Sequence, residues 1–399
     1  MADESKLTLE THDLEAEGEQ SPNMPRSLRD LIERVSGKGF RPDTTTEDAG
    51  LAEVLPFPFL ALVGQSEMKL ALVLALINPT VGGVLLIGPR GTGKTTAVRS
   101  LVDLLPQVPR SLCFYGCMPE DVEIGGIDAI CPDCAQKYAE SQPLAKMDRV
   151  RLVELPLNAR MEDVVGGLDE RAAVHERMRI RRGILAQADH NLLYVDEVNL
   201  LGDEIVDAIL DAAAQGSYTV RRGPVTATYR ARFTLIGSMN PEEGRLRPQI
   251  MDRFGLRVIV RGLTNAQERL EAYRRVQAYL TNPRRALATY TPETQTLQEE
   301  IQSARDLLVN VTISDEIAHL GLALVRQLQI DSLRSEITFF EAARAYAAAD
   351  GRQDVIATDL RAVAPMALRA RRSSFMVEYF SNQQVEENEI VSILDNIFK

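Results

Sequence analysis

Val84-Leu85-Leu86-Ile87-Gly88-Pro89-Arg90-Gly91-Thr92-Gly93-Lys94-Thr95 is the stretch that decides how this chain folds. Four apolar residues make a run of strand length. A glycine-rich turn follows, and residues 95–105 then read as a helix. The turn satisfies G-x-x-x-x-G-K-[ST] in full. Its glycines let successive backbone N–H groups turn inward around phosphates, Lys94 brings a point charge to the β- and γ-phosphates, and the Thr95 hydroxyl suits Mg²⁺. The candidate nucleotide-binding set is therefore Gly88, Pro89, Arg90, Gly91, Thr92, Gly93, Lys94, Thr95 and Thr96. The expected ligand is ATP with Mg²⁺.

Downstream, apolar runs of strand length recur at Leu152–Leu155, Leu192–Val195, 233–237 and 256–260, with helical periodicity between several of them. Strands alternating with helices imply an α/β fold, a parallel sheet covered by helices on both faces. Leu192-Leu193-Tyr194-Val195 runs into Asp196-Glu197. An apolar strand ending in two carboxylates beside a phosphate loop gives Asp196 as the Mg²⁺ carboxylate and Glu197 as the base for an attacking water. After residue 260 the strand signal fades. Thr264 with Gln267 reads as a capping box opening a helix to about 280, and Thr291-Pro292 reads as the start of another toward 310. Segments 314–330, 335–349 and 357–372 also carry helical patterns. The expected organisation is an acidic, flexible arm at 1–55 with a short helix near 27–35, an α/β ATPase domain at 56–262 and a helical domain at 263–399.

The 399 residues are 45% hydrophobic and 26% charged, with a formal net charge of −12 and a pI near 5.1. That balance argues against a nucleic-acid partner, whose phosphates must be met by Lys and Arg. The first twenty residues are acidic and lack an apolar core, so they read as no targeting signal. Asn78, Pro79, Gly82 and Gly83 interrupt the apolar stretch 70–87, which reads as a helix, a turn and a strand rather than a membrane span. The expected location is the cytoplasm.

Together these motifs resemble the AAA+ ATPases. Asn240, after the run ending at Met239, resembles the sensor-1 residue that contacts the attacking water or γ-phosphate; an Asn capping the turn before Pro241 is the plainer reading and can coexist with it. Gln65, in Val63-Gly64-Gln65, resembles the segment lining the adenine pocket. The likeness narrows further. Asp196-Glu197-Val198-Asn199-Leu200, Met239-Asn240-Pro241-Glu242-Glu243-Gly244, Leu246-Arg247-Pro248-Gln249, Met251-Asp252-Arg253-Phe254-Gly255 and the segment 357–364 resemble the I subunits of magnesium chelatase, over about residues 56–375. This resemblance implies that Arg253 is an arginine finger acting on a neighbouring subunit's nucleotide, with Asp252 at the interface, and that Arg334 is the sensor-2 arginine in a C-terminal helical domain. It also implies a ring oligomer, usually a hexamer, working with a D subunit and a porphyrin-binding H subunit to insert Mg²⁺ into protoporphyrin IX for chlorophyll or bacteriochlorophyll. A MoxR-like chaperone ATPase shares the same nucleotide machinery and is the alternative; a nucleic-acid motor is a third reading, opposed by the charge.

Cys113, Cys117, Cys131 and Cys134 follow C-x₃-C and C-x₂-C spacing, thirteen residues apart. Four thiolates so spaced can wrap Zn²⁺; Cys131 with Cys134 can instead form a redox pair, or the loop can carry reduced thiols. His12, His175, His190 and His319 show no metal-ligand spacing. Arg177, Arg179, Arg181 and Arg182 read as a solvated helix face, or as a patch facing a partner or an inner pore.

Overall fold

The computed structural model describes residues 55–372, apart from 106, 114, 169–179, 224 and 245. The expected arm at 1–54, its helix near 27–35, His12, His175, Arg177, Arg179 and the segment 373–399 lie outside the described residues. The described residues form one compact unit.

The strands are β1 (Val84–Ile87), β2 (Val108–Ser111), β3 (Ala145–Asp148), β4 (Leu152–Leu155), β5 (Gly166–Leu168), β6 (Ile180–Arg182), β7 (Leu192–Val195), β8 (Ser217–Arg222), β9 (Val225–Arg230), β10 (Thr234–Met239) and β11 (Leu256–Ile259). Five of them form a parallel sheet in the order β11-β1-β10-β7-β4. The other six pair as three antiparallel hairpins, β2 with β3, β5 with β6 and β8 with β9. β7 and β10 are buried along their whole length, as an internal parallel strand must be when helices cover both faces. Side chains alternate between two cores. Val84, Leu86, Leu192, Tyr194 and Ile236 face one; Leu85, Leu193, Val195, Leu235 and Met239 face the other.

The principal helices are α1 (Ser66–Ile77), α2 (Lys94–Arg99), α3 (Pro119–Gly125), α4 (Pro132–Ala139), α5 (Asp203–Gln215), α6 (Pro248–Arg253), α7 (Ala266–Thr281), α8 (Pro283–Leu308), α9 (Asp315–Gln327), α10 (Leu333–Ala349) and α11 (Ala357–Leu368). α5 and α6 cover the second face through Val206, Ile209, Leu210 and Ile250. The first face is covered by α1 together with α8, α10 and α11. α10 buries Ala342, Ala343, Ala345, Ala347 and Ala348, small residues that let its neighbours approach closely.

Three expectations about helix boundaries are corrected. The helix after the phosphate loop passes at Ser100 into a 3₁₀ turn, Ser100–Leu104. α7 is capped by Asn265, whose side chain accepts from the Gln267 N–H, rather than by Thr264. α8 begins at Pro283, capped by Asn282, and carries Pro292 inside it instead of starting there. Pro292 removes one helical hydrogen bond, but on a largely exposed segment the freed carbonyl can turn to water. Arg181 and Arg182 lie on strand β6, not on a helix face.

Candidate nucleotide site and arginine face

All five sheet strands run parallel, so their carboxyl ends share one edge, where ligands of open α/β sheets bind. β1 delivers the phosphate loop to that edge, β7 delivers Asp196 and Glu197, and β10, lying between them, delivers Ser238 and Asn240. They enclose a cleft of about 200 Å³ lined by residues 90–96, Asp196, Glu197, Ser238, Met239 and Asn240. A larger cavity of about 490 Å³ lies around Pro79, His190, Arg232 and Arg305 at the opposite edge. No carboxylate lines it, so the smaller cleft is the candidate chemical site.

Gly91 and Gly93 have φ of +75° and +85°, and a Cβ at either would meet nothing within 4 Å. The left-handed backbone, not crowding, calls for glycine there, and open space lies in front of the loop. Gly88 is glycine for a different reason: a Cβ would sit 2.1 Å from the Val260 carbonyl oxygen. Lys94 Nζ donates to the carbonyls of Gly88 and Pro89, each at 2.7 Å. Burial pulls its pKa below the usual lysine value, while Asp196, Glu197 and Glu243 act to hold the charge.

A chain of hydroxyls ties the metal candidates together. Thr95 Oγ1 lies 3.1 Å from Tyr194 Oη, and Tyr194 donates to Asp196 Oδ1 at 2.8 Å. Ser238 Oγ donates to the same carboxylate oxygen and accepts from the Glu197 N–H at 3.2 Å. Burial pushes the Tyr194 hydroxyl above its ordinary range, so it remains a donor. Glu197 adopts φ +49°, a left-handed conformation that a non-glycine residue holds at some strain. Its side chain meets Arg90 at 3.4 Å, and Arg90 also pairs with Glu243. Asn240 is buried; its Oδ1 accepts from the Glu242 N–H and its Nδ2 donates to Glu243 Oε1, each at 3.2 Å. Asn240 thus caps its turn as well as lining the cleft. Glu243 Oε2 is buried without a partner. The donor set fits ATP and Mg²⁺: open glycines, one lysine, one threonine hydroxyl and an aspartate.

Gln65, also left-handed at φ +53°, donates through Nε2 to the Arg261 carbonyl at 2.6 Å. That bond fixes the start of α1 beside the end of β11, next to the first residue of the phosphate loop, though Gln65 is not among the residues lining the cleft.

Neither Arg253 nor Arg334 lines the cleft either. Arg253 ends α6 and pairs with Asp211 at 2.6 Å and Asp207 at 3.4 Å on α5. Its neighbour Asp252 is held by two deeply buried guanidiniums, Arg371 at 2.8 Å and Arg257 at 3.4 Å. Arg371 also donates to the carbonyls of Phe254 and Gly255, and Arg257 to those of Arg369 and Ala370. Burial, then the charge of Arg371, pulls Arg257 down to about 10. Ser332 Oγ donates to Asp252 at 3.4 Å, and the charge of Arg334 lowers the pKa of Arg371, which places Arg334 at this same face.

Sequence reading missed Tyr194, Ser238, Glu243, Arg257 and Arg371. Ser238 was the readable one: a lone hydroxyl at the polar tip of an apolar strand already assigned to the site.

Cys113, Cys117, Cys131 and Cys134 bring their sulfurs within 4.8 Å of one another, and all but Cys113 are buried. A hydrogen bond from the Cys117 thiol pulls Cys113 down to about 4; the same bond, with burial, pushes Cys117 up, and burial pushes Cys134 up to about 12. His190 bonds Arg232 at 2.7 Å and lies 3.8 Å from Asp189, and His319 is exposed; among the described residues neither belongs to a cluster of three or more metal-ligating side chains.

A five-stranded parallel sheet with a phosphate loop, a strand ending in Asp-Glu, a polar sensor tip and a helical C-terminal region defines an AAA-type ATPase, which uses ATP and Mg²⁺. Two family models match, an AAA domain over residues 80–270 and an AAA lid domain over 322–393. A magnesium-chelatase subunit ChlI homolog of Methanocaldococcus jannaschii is 40% identical over 335 residues, covering 83% of this chain and 90% of that protein. The magnesium-chelatase 38 kDa subunit of Acidiphilium rubrum is 43% identical over 317 residues, 79% and 90%. Subunit ChlI of a Nostoc species is 38% identical over 329 residues, 82% and 87%. The chain belongs to the I-subunit family of magnesium chelatase, which decides against the chaperone reading. No described helix is long and apolar enough to cross a membrane.

Proposed function

We propose that this chain is the ATP-hydrolysing motor of a magnesium chelatase, driving insertion of Mg²⁺ into protoporphyrin IX with a D subunit and a porphyrin-holding H subunit. The observation that carries the proposal is a half site. Lys94, Thr95, Asp196, Glu197 and Asn240 line one cleft, while neither Arg253, which pairs with Asp211, nor Arg334 lines it. An arginine outside its own cleft fits a role on a nucleotide held by another subunit, and a repeated head-to-tail contact closes into a ring. A hexamer is the ring size we infer.

Bound Mg·ATP supplies the electrophilic γ-phosphoryl group. The N–H groups of the phosphate loop bind its oxygens, and Lys94 exchanges its two carbonyl partners for them. Thr95 and Asp196 hold the cation, and Tyr194 and Ser238 orient the Asp196 carboxylate. Glu197 accepts the proton of the attacking water, and Asn240 orients that water. Gln65 lines the adenine side. The neighbour's Arg253 neutralises charge building on the phosphoryl oxygens, and its Arg334 supports the same interface. In this division of labour residues 56–262 carry the phosphate chemistry and residues 263–399 carry sensor 2. The four cysteines hold a structural Zn²⁺, outside the ATP chemistry. We place the protein in the cytoplasm, where such thiols stay reduced.

The test mixes this protein with D and H subunits, Mg²⁺, ATP and protoporphyrin IX and follows Mg-porphyrin fluorescence. ATP-dependent product is expected. No product under conditions in which another I subunit works overturns the proposal.

A further inference from the structure

The hairpin β2–β3 closes a loop spanning residues 112–144 that contains α3, α4 and all four cysteines. Its own core is small. Among the described residues its packed cluster holds Cys117, Ile130, Cys131, Cys134 and Leu144, with Cys113, Tyr115, Val122 and Ala135 partly covered, and Met118 is buried beside it in sequence. α3 buries nothing. Ile124 and Ile127 stand in solvent at 81% and 49% exposure. An insert of about forty residues with so little apolar burial falls in the range where a metal or a disulfide usually replaces the missing core.

The sulfurs are arranged for a cation. A tetrahedron built on the ~2.3 Å Zn–S distance has edges of about 3.8 Å, and the four sulfurs already lie within 4.8 Å of one another. Backbone donors point at them: the Cys117 N–H at Cys113 Sγ (3.2 Å) and the Cys131 N–H at Cys117 Sγ (3.3 Å), with Ser111 Oγ 3.5 Å from Cys113 Sγ. Such bonds hold the ligand sulfurs in orientation from outside the coordination shell. A four-thiolate Zn²⁺ centre carries a net charge of −2, and a cation stands beside it. Arg182 occupies the space in front of Gly116, between Cys113 and Cys117, so closely that a Cβ at 116 would fall 1.3 Å from Nη1. Its Nε is buried and has no hydrogen-bond partner, and the guanidinium carbon sits 6.0 Å from the Tyr229 ring centre. Soft sulfur ligands select Zn²⁺ over the hard Mg²⁺ that the nucleotide cleft uses.

We infer that Zn²⁺ bound by Cys113, Cys117, Cys131 and Cys134 is what folds the 108–148 insert, and that Arg182 docks this zinc module onto the β5–β6 hairpin of the ATPase body. This rests on the structural Zn²⁺ reading above and goes further, because it makes the metal the insert's core. Binding displaces the thiol protons and forms four Zn–S bonds; no oxidant is involved.

The full-length protein is purified with reduced thiols and its zinc measured by mass spectrometry of the metal. About one Zn²⁺ per chain is expected, with the four thiols shielded from a thiol reagent. Zinc is then removed with a chelator, and hydrogen exchange is compared. Residues 108–148 should lose protection by at least tenfold, while β1, β7 and β10 keep theirs; added Zn²⁺ should restore the insert. Cys134→Ser should reproduce the metal-free pattern, and Arg182→Ala should bind Zn²⁺ yet expose the contact at Gly116. Zinc-free protein with a protected insert, or a mass lower by 2 Da per disulfide, overturns the inference. Zinc present but removable without change in exchange overturns the folding role while leaving the metal site standing. None of these readouts depends on chelatase activity.

Discussion

Lys94 and Tyr194 divide the work of the cleft at the level of single side chains. Lys94 is anchored only by two loop carbonyls, so its charge is available to phosphate. Lys94→Ala should lower ATP turnover by about 10²–10³-fold or more, the usual effect of removing one group that stabilises transition-state charge. Phosphate release under saturating ATP measures it. Tyr194 is subtler, since it touches the two metal candidates rather than the nucleotide. Tyr194→Phe should raise the Mg²⁺ concentration needed for half-maximal turnover by about tenfold, as losing a supporting partner of a metal ligand does. Unchanged Mg²⁺ dependence in a folded variant would remove Tyr194 from the site. The phosphate loop, Asp196 and Glu197 were legible because each lies in one short, self-contained pattern. The Thr95–Tyr194–Asp196–Ser238 chain was not, because two of its links span 99 and 42 positions and exist only once β10 is inserted between β1 and β7.

Among elements, α6 is the one whose placement matters most, since it ends in Arg253. Its last turn is clamped through Asp252 by Arg257 from β11 and by Arg371 from beyond α11. Removing the carboxylate strands two buried guanidiniums. Asp252→Ala should therefore destabilise the fold by about 1.5–3 kcal/mol, the scale of a charge-assisted bond, and lower the melting temperature by several degrees. ATPase activity should fall even where the variant is folded, because the finger loses its mount. Calorimetry and turnover on the same sample separate the two effects, and a melting temperature equal to the parent's would show that the clamp contributes nothing. The five strands of the parallel sheet were read closely because a doubly covered strand must be a short apolar run, whereas the six hairpin strands, which carry no such run, were missed. The start of α8 was misread at Pro292 because a proline on an exposed helical face is tolerated, and local rules cannot see exposure.

For the whole molecule, Arg253 in a lone subunit is neutralised by Asp207 and Asp211, which are themselves about half exposed. Exposed pairs are worth only about 0–1 kcal/mol, so a neighbouring phosphate can take the arginine. Arg253→Ala subunits alone should lose about 10³-fold or more in turnover, as should Lys94→Ala subunits. Mixing the two should recover activity, since one variant brings an intact loop and the other an intact finger. Two variants that stay inactive together, in rings shown to be mixed, would mean that the finger does not act across the interface.

Phe339, Ala342 and Val363 from the late helices pack in one body with Leu72, Val84 and Ile236. The late helices therefore complete the nucleotide-binding half instead of riding on it. A chain cut after Gly262 would expose the flank of its own sheet, and it should precipitate or bind hydrophobic dyes rather than yield a minimal ATPase. Heating the intact protein should accordingly melt sheet and late helices in a single transition.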